Sequence, residues 1–377
     1  MQFLKYFKLK YYIIAGEASG DLHGSKLIEA LREKDSRAQI RFWGGDLMEQ
    51  AGGVLVKHYK MLAYMGFWEV FVNLGAIFKN IKLCKEDITG FKPDVIIYID
   101  YPGFNLRIAK WAKQQGFKNH FYISPQVWAW KEKRVYQMKK DLDALYVILP
   151  FEKDFFENKH KFKVEFVGHP LMDTLIKSRK TTTFLKENQL SEKKNIIALL
   201  PGSRKQEIKI MLPIFLKVVS LYPQFEFVLA GAPGIDPEWY QKFFNIEKVK
   251  VIQNKTYDLL LHARAAIVSS GTATLETGLL NVPQVVCYRS SFLSYLIGKW
   301  LVKLKYISLV NLILDREAVK ELIQADFNVK KVAQQLEYVL SDKGKNKLKE
   351  DYEELRTVLG KEGASKKTAK LIIEALK

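Results

Sequence analysis

Cysteine is nearly missing from this chain of 377 residues: Cys84 and Cys287 are the only two, and they stand far apart. That excludes a disulfide scaffold and a thiolate zinc site, and it fits a reducing cytoplasm. Histidine is sparse as well. The six histidines are scattered, without an H-E-x-x-H pair or a His/Cys pair, so a zinc site is not expected. Long apolar runs are lacking. Residues 1–10 are basic and aromatic, but the apolar run 11–15 that follows is too short for a signal-peptide core. The longest such run, 63–78, is broken by Glu69 and Asn73 and falls short of the ~20 residues that span a bilayer. A cytoplasmic chain that does not cross a membrane is expected. Acid is in deficit too: 41 Asp+Glu against 60 Lys+Arg leaves +19, which calls for an anionic partner. Nucleic acid, an anionic membrane surface or a phosphorylated substrate would each satisfy that charge. Lysines spread through helices and linker, with no recognised module, argue against nucleic acid.

What is present is ordinary globular material, 48% hydrophobic and 27% charged, in a chain long enough to need two domains. Brief apolar runs at 11–15, 40–43, 95–99, 120–123, 144–148 and 164–167, bounded by Gly, Pro or charge, read as buried strands. Helical patterns such as 22–34 and 105–115 lie between them. Residues 177–194 are polar, carry three consecutive threonines and read as a linker. The rhythm restarts at 196–200, 225–230, 249–252, 265–269 and 284–287, and from Val329 the pattern is helical. The expected class is α/β: two doubly wound, Rossmann-like parallel sheets with a helical tail. Ligands of such sheets bind beyond the carboxyl ends of the strands.

Four strand exits carry candidate chemistry. The first leads into Gly16-Glu17-Ala18-Ser19-Gly20-Asp21, small residues opening a helix. It reads either as a ligand-facing turn or as a plain one with Ser19 or Asp21 as N-cap, and it does not match G-x-G-x-x-G. The second ends in Asp100-Tyr101-Pro102, where a carboxylate could take a proton from an acceptor hydroxyl or bind turn amides. The third, Gly202-Ser203-Arg204, combines amide donors, a hydroxyl and a guanidinium, as a diphosphate requires. The fourth, Ser270-Gly271-Thr272, can hold phosphate oxygens, with Glu276 one turn on to accept ribose hydroxyls, or Thr272 to Glu276 is ordinary capping at a helix start; with Arg204 the nucleotide reading is favoured. Asp141-Leu142-Asp143 has the D-x-D form of metal-dependent transferases, but it reads better as a solvated loop. His169 at a strand end reads equally as functional or structural.

Two stretches could meet lipid. Residues 61–78 include Phe67, Trp68, Phe71 and Phe78, with Glu69, Asn73 and Asn80 on one polar stripe. Such a helix either packs deeply or enters a lipid interface. Residues 291–314 mix Phe292, Tyr295 and Trp300 with Lys299, Lys303 and Lys305 and admit the same two readings.

Taken in order, these segments resemble the lipid-A-disaccharide synthase family. The resemblance covers most of the chain: 16–24, 93–105, Ser124-Pro125-Gln126-Val127-Trp128-Ala129-Trp130, Leu149-Pro150-Phe151-Glu152, Gly168-His169-Pro170, 200–207, 270–276 and 306–312. Val310, where proline would be expected, and Gly103, where an acidic residue is common, depart from the pattern. The resemblance implies a B-type glycosyltransferase fold with an N-terminal acceptor domain (1–176), a C-terminal UDP-sugar domain (177–350) and a returning helix (351–377). It implies inverting transfer from UDP-2,3-diacylglucosamine to 2,3-diacylglucosamine-1-phosphate (lipid X), without a metal or other cofactor. A soluble-acceptor transferase or UDP-sugar 2-epimerase is the rival reading. By resemblance Asp100 is the base and Glu17 shares its cleft, while Ser203, Arg204, Gly271, Thr272, Glu276 and Asn311 serve UDP. Peripheral association with the inner membrane follows, and a homo-oligomer is left open.

Overall fold

The computed structural model describes residues 8–62, 74–175, 179–243, 249–290 and 305–377. Two compact units emerge, one built from residues 1–170 and 362–377, the other from 171–361.

The first unit holds a seven-stranded sheet: β1 (Lys10–Ala15), β2 (Gln39–Gly44), β3 (Val54–His58), β4 (Val95–Ile99), β5 (Asn119–Tyr122), β6 (Ala144–Val147) and β7 (Glu165–Phe166). Their spatial order is β3-β2-β1-β4-β5-β6-β7, and every pairing is parallel. Alternation along the strands supplies both faces. Tyr12, Ile14, Ile96 and Tyr98 join one core, while Tyr11, Ile13, Val95 and Ile97 join the other. A central strand buried on both faces has to be apolar throughout, which is why β1 and β4 read as continuous hydrophobic runs. The buried phenol of Tyr12 finds its partner in Trp43, whose indole N–H donates to it at 2.8 Å. The C-terminal helix Ala364–Glu374 packs beside Ala18–Lys34 and adds Ala369, Ile372 and Ile373 to the second of these cores. Asp351, the expected start of the returning segment, lies mid-helix in the second unit, within Asp342–Leu359.

The second unit repeats the plan with β8 (Ile196–Leu200), β9 (Glu226–Gly231), β10 (Val249–Gln253), β11 (Ala263–Ser269), β12 (Gln284–Tyr288) and β13 (Glu321–Ile323). Its order is β10-β9-β8-β11-β12-β13, again all parallel. Both sheets reverse strand order at their first strand, between β1 and β4 and between β8 and β11. Those reversals are where such sheets bind ligands.

Two local expectations change, and a third is not tested. The stretch read as a linker is structured over its described residues, 179–194: Phe184 is buried in the core of the second unit, and Thr181 donates its amide and hydroxyl to Asp258. Residues 63–73, with Phe67, Trp68 and Phe71, lie outside the described residues, as do 291–304. The described helix Leu74–Phe91 is turned differently from the expected stripe. Asn80 shares the inner face with Cys84 and Ile88, four residues apart, whereas Phe78 is exposed. No described helix is long and apolar enough to cross a membrane.

Candidate active site

In the first unit, the exits of β1 and β4 are pressed together. A Cβ on Gly16 would stand 2.3 Å from the Tyr101 ring, so only glycine lets the two turns approach this closely. Asp100 and Tyr101 both take positive φ, 44° and 49°, and this left-handed pair swings the chain off β4 into the helix Pro102–Gln114. Non-glycine residues adopt that conformation at a cost, and here the surroundings enforce it. Buried Asn105 is the clamp, its side-chain N–H groups donating to the Asp100 carbonyl at 2.7 Å and to the Ile14 carbonyl at 3.3 Å.

Glu17 occupies the cap position of the helix Ala18–Lys34 without a side-chain capping bond. Neither Ser19 nor Asp21 is that helix's N-cap. Asp21 is buried and accepts from the amides of Gly45, Leu47 and Met48, so it caps the neighbouring helix Asp46–Gln50. Glu17 lies near enough to Asp100 for its charge to act on that carboxyl. Burial first, and then the Glu17 carboxylate, push Asp100 up to about 6, against a bond from the Tyr101 amide that favours the anion.

Glu152 closes the Leu149-Pro150-Phe151-Glu152 motif, whose sequence alone assigns it no role. It is fully buried and accepts from the amides of Ile148 (3.1 Å) and Leu149 (2.9 Å) and from the Trp128 indole (3.1 Å). Burial outweighs those three donors and raises it to about 7; the Asp100 charge adds to the rise. His169 is buried, and desolvation followed by the charge of His23 lowers it to about 3, so at neutral pH it is an uncharged imidazole. The two carboxylates of the D-x-D run are committed elsewhere. Asp141 is buried and accepts from Gln137, and Asp143 binds Lys113 and the Asn119 amide. The solvated-loop reading therefore holds for Asp143 alone. Among the described residues, no three His, Cys, Asp or Glu side chains are grouped to hold a metal ion.

In the second unit, β8 and β11 deliver their exits to the same edge. Gly202 has φ +118°, and a Cβ there would meet Glu207 at 2.8 Å. Arg204 stands at the cap of the helix Lys205–Val219 with its guanidinium largely in solvent, 3.7 Å from Glu207. Gly271 and Thr272 are exposed at the start of the helix Thr272–Leu279, and Ser270 donates to the Ile307 carbonyl. Glu276 accepts from the Tyr257 hydroxyl at 3.0 Å, and burial raises its pKa. Asn311 is buried with both ends of its amide engaged. It donates to Val319 and Glu321 and accepts from the amides of Ala318 and Val319. Glu321 on β13, unremarked in the sequence, also accepts from the amides of Ile307 and Ser308. Together Asn311 and Glu321 hold the 307–311 turn beside Ser270.

The profile of the lipid-A-disaccharide synthetase family matches residues 11–375. The chain belongs to that family. A lipid-A-disaccharide synthase from Syntrophus aciditrophicus is 37% identical over 97% of both chains, and one from Geobacter metallireducens is 35% identical over 97% of this chain and 96% of its own. Membership makes the chain an enzyme, a glycosyltransferase of lipid A biosynthesis. Solved structures share the fold at low identity. The S. aureus MnaA–UDP co-structure superposes with TM-score 0.70 at 14% identity over 98% of this chain and 97% of that one. The UDP-GlcNAc 2-epimerase from Neisseria meningitidis bound to UDP-GlcNAc gives 0.68 at 14% over 98% and 99%. Those likenesses establish the two-sheet architecture and leave the rival epimerase reading without support from sequence.

Proposed function

We propose that the chain joins UDP-2,3-diacylglucosamine to 2,3-diacylglucosamine-1-phosphate, with Asp100 as the base. The observation that carries this reading is an Asp100 carboxylate raised to about 6 at the end of a central strand, beside Glu17. It is basic enough to receive a hydroxyl proton yet still ionised at neutral pH. Asp100 takes the proton of the acceptor 6-hydroxyl, whose oxygen attacks the donor's anomeric carbon. The bond from that carbon to the diphosphate oxygen breaks, and UDP leaves with the electron pair. Configuration inverts because no enzyme nucleophile intervenes. Ser203, Arg204, Gly271 and Thr272 offset charge on the departing diphosphate through amides, hydroxyls and one guanidinium. Glu276 accepts from the ribose, exchanging its bond to Tyr257, and Asn311 acts by holding the turn next to Ser270.

The same reading covers the membrane. Phe78 is 63% exposed and Met61 62%, and Lys79 and Lys82 share the exposed surface of the Leu74–Phe91 helix with Phe78 and Leu83. Apolar and basic side chains together suit peripheral contact with the acyl chains and anionic head groups of the cytoplasmic face of the inner membrane. The test is to mix purified protein with both sugar lipids in detergent and excess EDTA, then follow UDP release and product mass. Disaccharide phosphate is expected. UDP release without disaccharide would replace transfer with hydrolysis or another acceptor.

A further inference from the structure

Three cations of the first unit converge without an acid. The short helix Val127–Trp130 ends at Trp130, which is 51% exposed. Lys131 lays its ammonium over that indole, 4.0 Å from the ring centroid, and the Arg134 guanidinium stands 5.9 Å from the same centroid. Arg107 approaches from the second turn of the helix Pro102–Gln114 closely enough for its charge to act on Arg134. None of the three has an ion-pair partner among the described residues. The neighbouring carboxylate, Glu132, is turned away to Lys159 (2.7 Å) and His160 (2.9 Å). By contrast, Arg41 sits beside Asp87 and Arg316 beside Asp351. Here partial burial and mutual repulsion lower both Lys131 and Arg134, so the cluster is electrostatically unfavourable as it stands.

Two chains of neighbours also link the cluster to the candidate base. Trp128, two residues before Trp130, donates to Glu152, and Glu152 lies within the field of Asp100. Arg107 belongs to the helix that starts directly after Asp100 and Tyr101, and a rise of 1.5 Å per residue puts it about 8 Å along the axis from Pro102. A dianionic phosphate with three outward oxygens would relieve the repulsion, accept from two guanidinium forks and an ammonium, and leave the sugar to lie against the tryptophan. On the proposed acceptor, the anomeric phosphate and the 6-hydroxymethyl are carried by the two carbons that flank the ring oxygen, so seating the phosphate fixes where the hydroxyl can lie. We propose that Arg107, Lys131 and Arg134 form a phosphomonoester subsite that seats the acceptor's 1-phosphate and so aims its hydroxyl at Asp100.

This rests on the transfer reading above, and one experiment separates the two. The R107Q/R134Q variant and the wild type are compared with the phosphorylated acceptor and with the same diacyl sugar lacking the phosphate. The variant should raise KM for the phosphorylated acceptor at least tenfold, with the change in KM exceeding that in kcat, and leave calorimetric UDP affinity unchanged. The dephosphorylated acceptor should be a poor substrate of both proteins and should not distinguish them. R107K/R134K should recover most of the loss, which sets charge apart from misfolding. An unmoved KM in an active wild-type background would overturn the subsite alone. A wild type that makes no disaccharide would remove the transfer reading and the subsite with it. Binding to phosphatidylglycerol vesicles that falls in R107Q/R134Q while KM stays fixed would assign the cluster to the bilayer surface and refute the acceptor assignment.

Discussion

Titration of the Asp100–Glu17 pair discriminates between two carboxylates that both lie at the candidate site. Asp100 is raised from 3.8 to about 6, with burial as the larger cause and the Glu17 carboxylate as the second. Keeping it ionised at neutral pH therefore costs about 3 kcal/mol relative to water, at 1.36 kcal/mol per pH unit. A base acts deprotonated, so kcat/KM should rise with pH through a limb centred near 6, with about 90% of the enzyme competent at pH 7 and about 10% at pH 5. Replacing Glu17 with Gln removes the second cause and keeps the first. The limb should then move toward acid by less than about one pH unit. For a displacement of 0.8, activity at pH 5 would rise about fourfold over the wild type, while the plateau at pH 8 would keep its position. Asp100→Asn should instead lose roughly 10²–10⁴-fold of kcat at every pH, with UDP affinity by calorimetry nearly intact. Initial rates of UDP release from pH 4.5 to 8.5 measure all three proteins. If Glu17→Gln is as inactive as Asp100→Asn, or if its limb stays at the wild-type position, Glu17 is not a charge acting on Asp100 and the proton goes elsewhere.

Other parts of the molecule yield shorter tests. Arg204→Ala should weaken UDP binding by about 10- to 100-fold, the value of one or two charge-assisted hydrogen bonds, and an unchanged calorimetric Kd would sink its diphosphate role. Phe78→Ser should lower flotation with anionic vesicles several-fold in a protein that still melts cooperatively, because a lipid-buried phenyl contributes about 1.5–3 kcal/mol. No loss would send that side chain back to an ordinary exposed position. Burial pushes His120 down to about 4, so its imidazole stays neutral in the fold where the unfolded chain would protonate it. The stability it contributes is present above about 6.5 and lost as pH falls towards 4. Between pH 6.5 and 5 the wild type should therefore lose about 2 kcal/mol more than His120→Asn in urea unfolding, and parallel pH profiles would contradict this.

What the sequence exposed, and what it hid, follows from where each residue finds its partners. Strands buried on both faces have to be apolar at every position, so β1, β4, β8 and the core of β11 stood out as short hydrophobic runs. β3 and β13 did not. They are edge strands, β3 without a fully buried residue and β13 only three residues long with Glu321 at its start. A half-covered edge is free to carry Lys57 and His58, and with them the signal is lost. The site divides the same way. Asp100, Glu17, Arg204 and Gly271 were legible as strand-exit positions, because a strand exit in a parallel sheet is a place that chain order alone defines. Glu152 was in plain view within Leu149-Pro150-Phe151-Glu152, yet its three donors include an indole twenty-four residues earlier. Asn80 went wrong for a related reason. Its helix is positioned by contacts with Cys84 and Ile88 toward the core, and that face overrides the polarity of one amide.

Net charge is the limiting case. A value of +19 is a sum, and it asked for an anionic partner without saying where. A binding site is made by charge that the fold leaves uncompensated, which composition cannot reveal. The acidic residues are spent locally, Glu132 on Lys159 and His160, Asp87 on Arg41, Asp351 on Arg316 and Lys347. Subtracting such pairs still leaves many lysines and arginines without a carboxylate. Among the remaining charge, the Arg107–Lys131–Arg134 group around Trp130 stands out in the first unit by its clustering, and Arg204 in the second by its place at a helix start, 3.7 Å from Glu207. The proposed reaction, which joins a sugar diphosphate to a sugar phosphate, needs two such places, and the proposal assigns one phosphate to each.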